Sequence, residues 1–343
     1  MVNKVTALMT TFNASKWVEE TIDSVLSQTY PNFEFLIVDD GSTDNTKLKV
    51  EGFSDPRIKF ITYKENKGVG YRLDDALDLV TTPYIAKVDA DDISEPNRFE
   101  EQLRFIESRE ADIVKCHLNY FADTDSVANS SRFTVFKTEK ERAINDIASP
   151  DDINASLRQW PCFPHTTYFA KTAVLKRVRY PRLRIFEDYV LFLRLLNQGF
   201  KFDCLEKSLV KMRISDSSTT MSLSQNDFDE GLIAVIEEKS ERLIACTQGK
   251  QVYVYGAGKL ARSFVRHAHL LDREIVAFVD KKDGETSDVV VSETKVPIIS
   301  LERYLSQTAP KALIVAAQPV RSEITSLLSS LGKKEGHDFY VLA

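Results

Sequence analysis

The chain has 343 residues, more than a typical single domain, which predicts two hydrophobic cores. Hydrophobic residues make up 43% and charged residues 28% of the sequence, a balance that excludes wholesale disorder and collagen-like structure. The net charge is −6 and the two signs are mixed along the chain, so nucleic acid is not an expected partner.

The sequence carries neither a membrane signal nor a disulfide signal. The longest clean apolar run is Ala312 to Ala317, whereas a membrane-spanning helix needs about 20 apolar residues. The first residues become polar too early for a signal peptide, and the four cysteines are scattered without a CxxC pair. We therefore expect a cytoplasmic protein with buried free thiols.

Apolar runs in the first half predict strands that alternate with amphipathic helices. The predicted strands are, in chain order, Lys4 to Thr11, Phe33 to Val38, Ile58 to Thr62, Tyr84 to Val88 and Asp112 to Cys116. We expect Asn13 or Ser15 to cap the first helix and Pro96 to open the helix after the fourth strand. This alternation predicts an α/β domain with a parallel sheet, whose ligands gather at the carboxyl ends of the strands.

The rest of the chain predicts a loop, a linker helix and a smaller α/β domain. Strand-like runs at 165–170 and 208–214 precede a polar stretch at 215–227 that has the composition of a loop. An amphipathic helix follows at 228–246, and a strand from Gln251 restarts the β-α-β rhythm. The expected divisions are a first domain at 1–227, a linker helix at 228–249 and a second domain at 250–343.

Polar side chains follow the first two predicted strands. Thr10, Phe12 and Asn13 end the first strand, where a loop with an asparagine cap is the alternative explanation. Asp39 and Asp40 come directly after the second strand, although a helix cap needs only one carboxylate. A carboxylate at this place can accept the imide N–H of a uracil or a ribose hydroxyl, and a purely structural turn is the alternative.

Two carboxylates at the end of the fourth strand indicate a metal site. Asp89 and Asp91 are two residues apart, so they project the same way as the chain leaves the sheet. Two hard oxygen ligands suit Mg²⁺ or Mn²⁺, because phosphates and waters complete the coordination shell. A solvated acidic loop is the alternative.

Glu187 and Asp188 stand directly before the apolar run VLFLRLL, which predicts a helix. Asp188 is either the N-cap of that helix or a general base placed at its start. Both interpretations stay open at this point.

In this order, the motifs resemble those of the family 2 glycosyltransferases, which are inverting enzymes with the GT-A fold. The resemblance covers roughly residues 3–214 and rests on MTTFN at 9–13, VDDGSTD at 38–44, the segment from Asn66 to Arg72, DAD at 89–91 and ED at 187–188. It implies a nucleotide site formed by Thr10, Phe12, Asp40, Arg72 and Asp89. It also implies that Asp91 holds Mn²⁺ or Mg²⁺ with Asp89 close by, and that Asp188 is the catalytic base.

The resemblance extends to the acceptor and the diphosphate. His165, in PHTTYF, and Glu187 are expected on the acceptor side, and a satisfied, partly buried histidine is the alternative for His165. Many relatives have a histidine two residues after an arginine that pairs with phosphate, but this chain has Ser215 after Arg213. Arg213 is still expected to pair with phosphate, and the role of Ser215 is open.

The C-terminal part resembles the small Rossmann-like lobes found beside sugar-modifying enzymes. Gly256 and Gly258 follow a predicted strand and open a helix, and Asp280 ends the next predicted strand. Docking or oligomerisation and nucleotide binding are both open for this domain. Because the residues with proposed chemistry end at Ser215, we expect the domain to be separable from catalysis.

Together these observations predict an inverting, metal-dependent transferase. It would move one sugar from a UDP-sugar donor to a hydroxyl of a glycan or lipid-linked saccharide, in surface polysaccharide synthesis. Peripheral association with the inner face of the plasma membrane and a homo-oligomer are left open. The alternatives are a catalytically silent nucleotide-sugar-binding scaffold and a nicotinamide-dependent sugar oxidoreductase that uses the C-terminal domain. The oxidoreductase leaves Asp89, Asp91 and Asp188 unexplained.

Overall fold

A computed structural model describes residues 4–216, 224–280, 288–291 and 294–342. The chain divides into two compact units. The first comprises Met1–Leu157 and Cys162–Gly231, and the second comprises Arg158–Pro161 and Leu232–Ala343.

The first unit is a mixed α/β structure. Its strands are β1 (Val5–Thr11), β2 (Phe33–Asp39), β3 (Ile58–Thr62), β4 (Tyr84–Asp89), β5 (Ile93–Ser94), β6 (Ile113–Ala122), β7 (Phe169–Lys171) and β8 (Phe202–Ile214). Its helices are α1 (Val18–Leu26), α2 (Thr46–Glu51), α3 (Val69–Leu77), α4 (Arg98–Ser108), α5 (Asp125–Ala128), α6 (Ser131–Val135), α7 (Glu141–Asn145), α8 (Pro150–Leu157), α9 (Thr172–Val178) and α10 (Glu187–Asn197). A π-helical turn at Phe136–Lys140 joins α6 to α7.

Parallel pairing brings the carboxyl ends of the central strands to one edge of the sheet. The strand order is β3-β2-β1-β4-β7-β6-β8-β5, and β1 is parallel to both β2 and β4. In this register Thr10 lies beside Asp89, and Thr11 lies beside Asp39. Polar residues from three strands therefore meet at one edge, as the sequence predicts.

The sheet is not wholly parallel. β7 is antiparallel to β4 and to β6, and the two-residue β5 is antiparallel to β8. The run at 165–170 divides into a 3₁₀ turn at His165–Thr167 and β7, because the Thr167 amide and hydroxyl both donate to the Pro164 carbonyl. The expectation of a parallel sheet is correct for β1 to β4 and wrong for β5 and β7.

One apolar core packs helices against the sheet. Its strand members are alternate residues, Val5, Ala7 and Met9 of β1 and Phe33, Phe35 and Ile37 of β2. Its helix members are three or four residues apart, Val18, Ile22 and Val25 of α1 and Phe99, Leu103 and Ile106 of α4. These two periods place the apolar side chains on one face of each element, so the predicted stripes are confirmed.

The first helix does not use its predicted cap. α1 begins after Trp17, which makes no side-chain capping bond, so the expectation of Asn13 or Ser15 is wrong. Asn13 instead adopts a φ of 50°, and its side-chain oxygen accepts a hydrogen bond from the Thr43 amide at 2.9 Å. The asparagine therefore joins the end of β1 to the loop after β2.

The second unit is another α/β structure. Its strands are β9 (Gln251–Tyr255), β10 (Ile275–Asp280), β11 (Asp288–Val291), β12 (Thr294–Ser300), β13 (Lys311–Val315) and β14 (Phe339–Val341). Its described helices are α11 (Gln225–Thr247), which begins in the first unit, α12 (Lys259–His267), α13 (Leu301–Ser306) and α14 (Arg321–Ser330). Short 3₁₀ segments lie at Ala268–Leu271 and Gln318–Val320.

The parallel strands of the second unit run in the order of a doubly wound fold. The sheet order is β11-β12-β10-β9-β13-β14, and β11 alone of these pairs antiparallel. If the five parallel strands β9, β10, β12, β13 and β14 are numbered 1 to 5 in chain order, they lie in the order 3-2-1-4-5, which is the order of dinucleotide-binding sheets. Gly256, with a φ of 93°, turns the chain from β9 towards α12. A second α/β domain is therefore confirmed.

The short segment Arg158–Pro161 is held within the second unit. Lys239 is buried, and its ammonium donates to the carbonyls of Gln159 at 3.4 Å, Val341 at 3.3 Å and Leu342. The chain therefore leaves the first unit for four residues and then returns to it.

The long helix α11 differs from the predicted linker. It begins at Gln225, inside the stretch 215–227 that was expected to be a loop. Residues 217–223 of that stretch lie outside the described residues. Its residues up to Gly231 belong to the first unit. A cut after Ser224 would therefore remove part of the first unit. Within the described chain, no helix combines the length and the hydropathy needed to cross a bilayer.

Arg98, at the start of α4, is a fully buried arginine that joins separate parts of the first unit. Its guanidinium donates to the carbonyl of Lys87 in β4 at 2.8 Å and to that of Thr166 in the 3₁₀ turn at 2.8 Å. It also donates to the Ser94 hydroxyl in β5 at 3.0 Å. These bonds fix the turn after β4 between two neighbouring segments.

Replacing Arg98 with Met should lower the free energy of unfolding by about 3 kcal/mol, because several buried acceptors lose their donor. Urea unfolding followed by circular dichroism measures this loss. Arg104→Met is the control on the same helix, since Arg104 pairs with the exposed Glu100 and exposed pairs contribute little. Equal stabilities of Arg98→Met and the wild type would contradict the assignment.

Candidate active site

The candidate site begins at the carboxyl edge of β1 and β4. Thr10 is partly buried beside Asp89, and Phe12, directly after β1, is 42% exposed. An exposed aromatic ring offers a face on which a nucleobase can stack. The structure therefore leaves the Phe12 ring accessible at the edge where the strands end.

Asp40 is buried and accepts hydrogen bonds from four donors. These are the Asn66 side-chain amide at 3.0 Å, the Lys67 amide at 2.9 Å, the Gly68 amide at 2.7 Å and the Arg72 guanidinium. A carboxylate can accept about four hydrogen bonds, so these four donors occupy all the acceptor positions of Asp40. The contacts of Asp40 thus fix the loop between β3 and α3.

Arg72 is equally buried and faces Asp40. Its guanidinium also donates to the Glu65 carbonyl at 2.6 Å and stacks 3.6 Å from the centre of the Tyr63 ring. The ion pair compensates the burial of both charges. The structure therefore brings Asp40 and Arg72 together, with their charged groups directed at each other.

Asp39 is used within its own turn. Its carboxylate accepts from the Thr11 hydroxyl at 2.9 Å and from the Ser42 amide at 3.0 Å. The turn needs Gly41, which has a φ of 76° and where a Cβ would lie 2.9 Å from the backbone of Glu65. Both adjacent carboxylates therefore make structural hydrogen bonds, and the nucleotide contact that the resemblance implies for Asp40 stays a prediction.

Three aspartates crowd the turn after β4. Asp89 forms an ion pair with the buried Lys87. Asp92 is buried, and one of its oxygens accepts from the Arg213 amide at 2.9 Å while Oδ2 has no hydrogen-bond partner in the described part of the chain. Among the described residues, the Asp91 carboxylate has no ion-pair partner.

Burial and mutual repulsion change the pKa values of this group. Burial, followed by the Asp89 charge, raises the pKa of Asp91 to about 6. Burial, followed by the charges of Asp91 and Asp89, raises the pKa of Asp92 well above its usual range. Burial, the largest single cause, would also raise the pKa of Asp89, but the interactions with Lys87, His165 and Arg98 together outweigh it and the pKa is lowered. A cation beside Asp91 would relieve this repulsion.

These residues fit a divalent cation that binds together with a diphosphate. In the described ranges, no three His, Cys, Asp or Glu side chains are grouped so as to hold a metal by themselves. Mg²⁺ and Mn²⁺ sites for nucleotides need only one or two carboxylates, because phosphates and waters supply the other ligands. Asp91, with Asp89 two residues away, meets that requirement.

The helix that carries Glu187 and Asp188 begins in an unusual way. Its N-cap is Phe186, which has a left-handed φ of 62° and makes no side-chain capping bond. Asp188 lies inside the first turn, where its Oδ1 accepts from the Tyr189 amide at 2.7 Å. The interpretation of Asp188 as the N-cap is therefore wrong.

The environment of Asp188 suits a proton acceptor. Burial, with a further contribution from the Asp89 charge, raises the pKa of Asp188 to about 6, although the hydrogen bond from Tyr189 opposes the shift. A carboxyl group with this pKa is ionised at neutral pH and is close to the pH at which it would exchange a proton, as a general base requires.

Glu187 and His165 belong to a buried polar chain. Glu187 Oε1 lies 3.8 Å from His165 Nδ1, and His165 Nε2 is 3.0 Å from the Tyr180 hydroxyl, which bonds to that of Tyr168. Burial, then Lys87, lowers the pKa of His165 to about 3, so its ring is neutral at pH 7. These contacts match the structural alternative for His165.

Arg213, near the end of β8, lies against the turn after β4. Its Nε donates to the Asp91 carbonyl at 2.8 Å. The rest of its guanidinium contacts the carboxylates of Glu20 at 2.5 Å and Asp123 at 3.5 Å and lies over the Phe121 ring. Its charge is therefore directed at acidic side chains of this unit.

Two residues near the site, the buried Lys87 and the partly buried Asp123, have no assignment from sequence motifs. Lys87 lies inside the apolar run YIAKVD, where a lysine is unexpected. Its presence there could have indicated the buried ion pair with Asp89. Asp123 receives hydrogen bonds from Trp17 at 2.7 Å and from Lys16, which are more than a hundred residues away, so no local pattern reveals it.

The sequence matches known glycosyltransferases. The profile of the family described as Glycosyl transferase family 2 matches residues 6–160. EpsE of Bacillus subtilis, which is named as a glycosyltransferase, is 29% identical over 293 residues, 82% of this chain and 96% of that protein. The uncharacterized glycosyltransferase MJ1057 of Methanocaldococcus jannaschii is 30% identical over 224 residues, 64% of this chain and 73% of that protein.

A further relative has a name that specifies its reaction. WfaP of Escherichia coli, a UDP-Glc:alpha-D-GlcNAc-diphosphoundecaprenol beta-1,3-glucosyltransferase, is 30% identical over 199 residues, 57% of this chain and 72% of that protein.

The fold matches solved glycosyltransferase structures. S. aureus TarS 1-349 in complex with UDP-GlcNAc has a TM-score of 0.52 at 20% identity, over 68% of this chain and 66% of that one. The mannosyltransferase PcManGT from Pyrobaculum calidifontis, in complex with GDP-Man and Mn²⁺, has a TM-score of 0.50 at 17% identity, over 69% of this chain and 64% of that one. These similarities confirm the GT-A fold. With MJ1057 and WfaP both 30% identical over 73% and 72% of their lengths, the chain belongs to glycosyltransferase family 2.

Proposed function

We propose that the chain is an inverting, metal-dependent transferase. It moves one sugar from a UDP-sugar to a hydroxyl of a glycan or lipid-linked saccharide, in surface polysaccharide synthesis. The observation that carries the proposal is the interaction of Asp91 and Asp188 with Asp89: burial is the largest cause of the raised pKa of both carboxyl groups, and the Asp89 charge adds to it. A UDP donor is supported by the UDP-Glc in the name of WfaP and by the UDP-GlcNAc bound to TarS.

On the nucleotide side, we assign the contact with the ligand to Thr10 and Phe12. The Phe12 ring is exposed, whereas Asp40 and Arg72 are buried and paired with each other. We assign Asp40 and Arg72 to holding the Asn66–Gly68 loop in the shape that the nucleotide meets. In this proposal, Asp40 and Arg72 affect nucleotide binding by stabilising the Asn66–Gly68 loop.

On the diphosphate side, Asp91 is the direct metal ligand. Its carboxylate has no ion-pair partner among the described residues, whereas Asp89 is held by Lys87. When bound, Mn²⁺ or Mg²⁺ offsets the negative charge that develops on the leaving diphosphate. Asp89 keeps the turn and its charge in place, and Arg213 fixes the same turn through the Asp91 carbonyl.

Asp188 is the base. It takes the proton of the acceptor hydroxyl as that oxygen attacks the anomeric carbon from the face opposite the nucleotide. The new C–O bond forms while the bond to the diphosphate breaks, and its electron pair leaves on UDP. The configuration at the anomeric carbon is inverted, and no covalent intermediate with the protein forms.

The test of this function is release of UDP. The purified protein is incubated with a panel of UDP-sugars, with Mn²⁺ or with EDTA, and GDP-Man, tested for release of GDP, is the comparison donor. UDP release that needs Mn²⁺ supports the proposal. A change in NAD(H) fluorescence with a hydroxy-sugar, without release of UDP, would favour the oxidoreductase.

Asp188→Asn should reduce the transfer rate by about 10²- to 10⁴-fold, because the amide keeps the shape of the side chain but cannot accept a proton. UDP affinity and the melting temperature should stay at the wild-type values. In the wild type the rate should fall as the pH drops below about 6, where Asp188 becomes protonated. The exposed Asp146→Asn is the control. Near-normal transfer by a folded Asp188→Asn would shift the role to Glu187 or His165.

Asp91→Ala should reduce the affinity for UDP in Mn²⁺ to the value that the wild type shows in EDTA, as measured by titration calorimetry. Asp89→Ala should weaken UDP binding less but lower the melting temperature, because it leaves the buried Lys87 without its partner. If UDP bound equally well in EDTA and in Mn²⁺, with Asp91→Ala unchanged, the metal assignment would be wrong.

Asp40→Asn should lower the free energy of unfolding by about 3 kcal/mol in the absence of any ligand, because the buried Arg72 loses its main ionic partner. Asp75→Asn is the matched control: Asp75 also pairs with Arg72, but at 3.4 Å and with a more exposed side chain, and its loss should cost little. Weaker UDP binding by Asp40→Asn at unchanged stability would instead indicate a direct contact with the nucleotide.

A further inference from the structure

We propose that Gly231 of α11 is a positioning residue for the base. Its missing side chain lets α11 pack against Ile185 and Phe186, and this contact fixes the start of α10, where Asp188 lies. The inference rests on the proposed role of Asp188. It makes the first turns of α11 part of the transferase site, although the sequence places them in a loop and a linker.

The backbone before α10 is held in an unfavourable conformation. Phe186 has a φ of 62°, and a bulky residue keeps a left-handed conformation only when its surroundings enforce it. One part of those surroundings is Phe228 of α11, whose ring centre lies 5.4 Å from that of Phe186 at an interplanar angle of 66°. The strained residue directly precedes Glu187 and Asp188.

Gly231 provides the second part of the contact, three residues after Phe228. A Cβ at Gly231 would lie 2.7 Å from the Ile185 carbonyl oxygen and 2.8 Å from Phe186 Cδ2, closer than real Cβ atoms approach other atoms. Gly231 is inside a helix and has no left-handed φ, so the helix itself would favour alanine. The close approach to Ile185 and Phe186 is therefore the reason that the structure gives for a glycine.

Another glycine holds the same segment from the opposite end. A Cβ at Gly70 of α3 would lie 2.5 Å from the Pro181 carbonyl oxygen and 2.6 Å from that of Leu183, and the Gly70 amide donates to the Leu183 carbonyl at 3.2 Å. The segment from Pro181 to Phe186 is thus packed against backbone on α3 and against backbone on α11.

This packing leaves little freedom for the carboxylates that follow. A side chain at position 231 would push the Ile185 carbonyl, and that displacement would pass through Phe186 into the first turn of α10. Proton acceptance depends on the distance between Asp188 and the acceptor hydroxyl, and a shift of about 1 Å costs roughly 10²-fold in rate. Gly231 contacts Ile185 and Phe186, directly before α10, whereas Arg184, which binds the Asn66 loop, precedes these two residues, and Thr10 and Phe12 lie at the end of β1. The displacement therefore acts first on the base and less directly on the nucleotide side.

The test is a kinetic comparison of full-length variants. Gly231→Ala should lower kcat by about 10²-fold, while the donor KM and the affinity for UDP in Mn²⁺ stay unchanged. Gly52→Ala is the matched control, because Gly52 is also in a right-handed helical conformation and its Cβ would meet only the Lys49 and Leu48 carbonyls, at 3.2 and 3.7 Å. This control should keep the wild-type kcat.

Phe228→Leu is the second variant, since it removes the aromatic contact with Phe186 without adding bulk. It should lower kcat by a smaller factor than Gly231→Ala, again at constant UDP affinity, and it decides the question if Gly231→Ala does not fold. A wild-type kcat in either folded variant would overturn the inference, as would a parallel loss of kcat and UDP binding. If Asp188→Asn is inactive while Gly231→Ala is fully active, only this inference fails, whereas an active Asp188→Asn contradicts the proposed function itself.

Discussion

A buried ammonium group allows several carboxylates to share the carboxyl edge of the sheet. Lys87 is fully enclosed in β4 and forms an ion pair with Asp89. Its positive charge also opposes the rise in the pKa values of Asp91, Glu187 and Asp188, for each of which burial is the largest cause of the shift. Without this cation, burial and repulsion would favour the protonated acids, which neither bind a divalent ion nor accept a proton.

The carboxylates are held in place by residues with no part in the proposed chemistry. Arg98 bonds the backbone of Lys87 to that of Thr166, beside His165. Asp40 fixes Asn66, and the carbonyl and side-chain oxygens of Asn66 accept from Arg184 at 2.7 and 2.8 Å. Arg184 lies in the segment that leads into α10. The proposed nucleotide side and the proposed base are therefore joined by a short series of hydrogen bonds, the kind of support that accurate placement of reacting groups requires.

Local pattern was enough to predict the elements that carry the site. Apolar runs placed β1 to β4 to within about one residue, and the spacing of Phe99, Leu103 and Ile106 identified the buried face of α4. Polar residues at strand ends then pointed to one edge of the sheet. These signals are local because a strand or an amphipathic helix repeats its pattern over a few residues.

The features that could not be predicted from the sequence depend on contacts between segments that are far apart in the chain. The N-cap interpretation of Asp188 fails because Phe186 takes that position, held by a helix more than forty residues later in the chain. The hydrogen bonds of Asp40 were not visible in the local pattern, because its donors lie in the loop between β3 and α3, almost thirty residues later in the chain. Arg98 looks like an ordinary surface residue of a helix until the carbonyls around it are known.

The route of the chain between its two units has a consequence for modular evolution. The chain passes from one unit to the other after Leu157, returns after Pro161 and passes again after Gly231. A recombination event at any one of these points would not exchange a complete unit, because four residues of the second unit are encoded within the first. Exchange of one unit would require recombination at several positions of the gene at once, so the two units are expected to be inherited together.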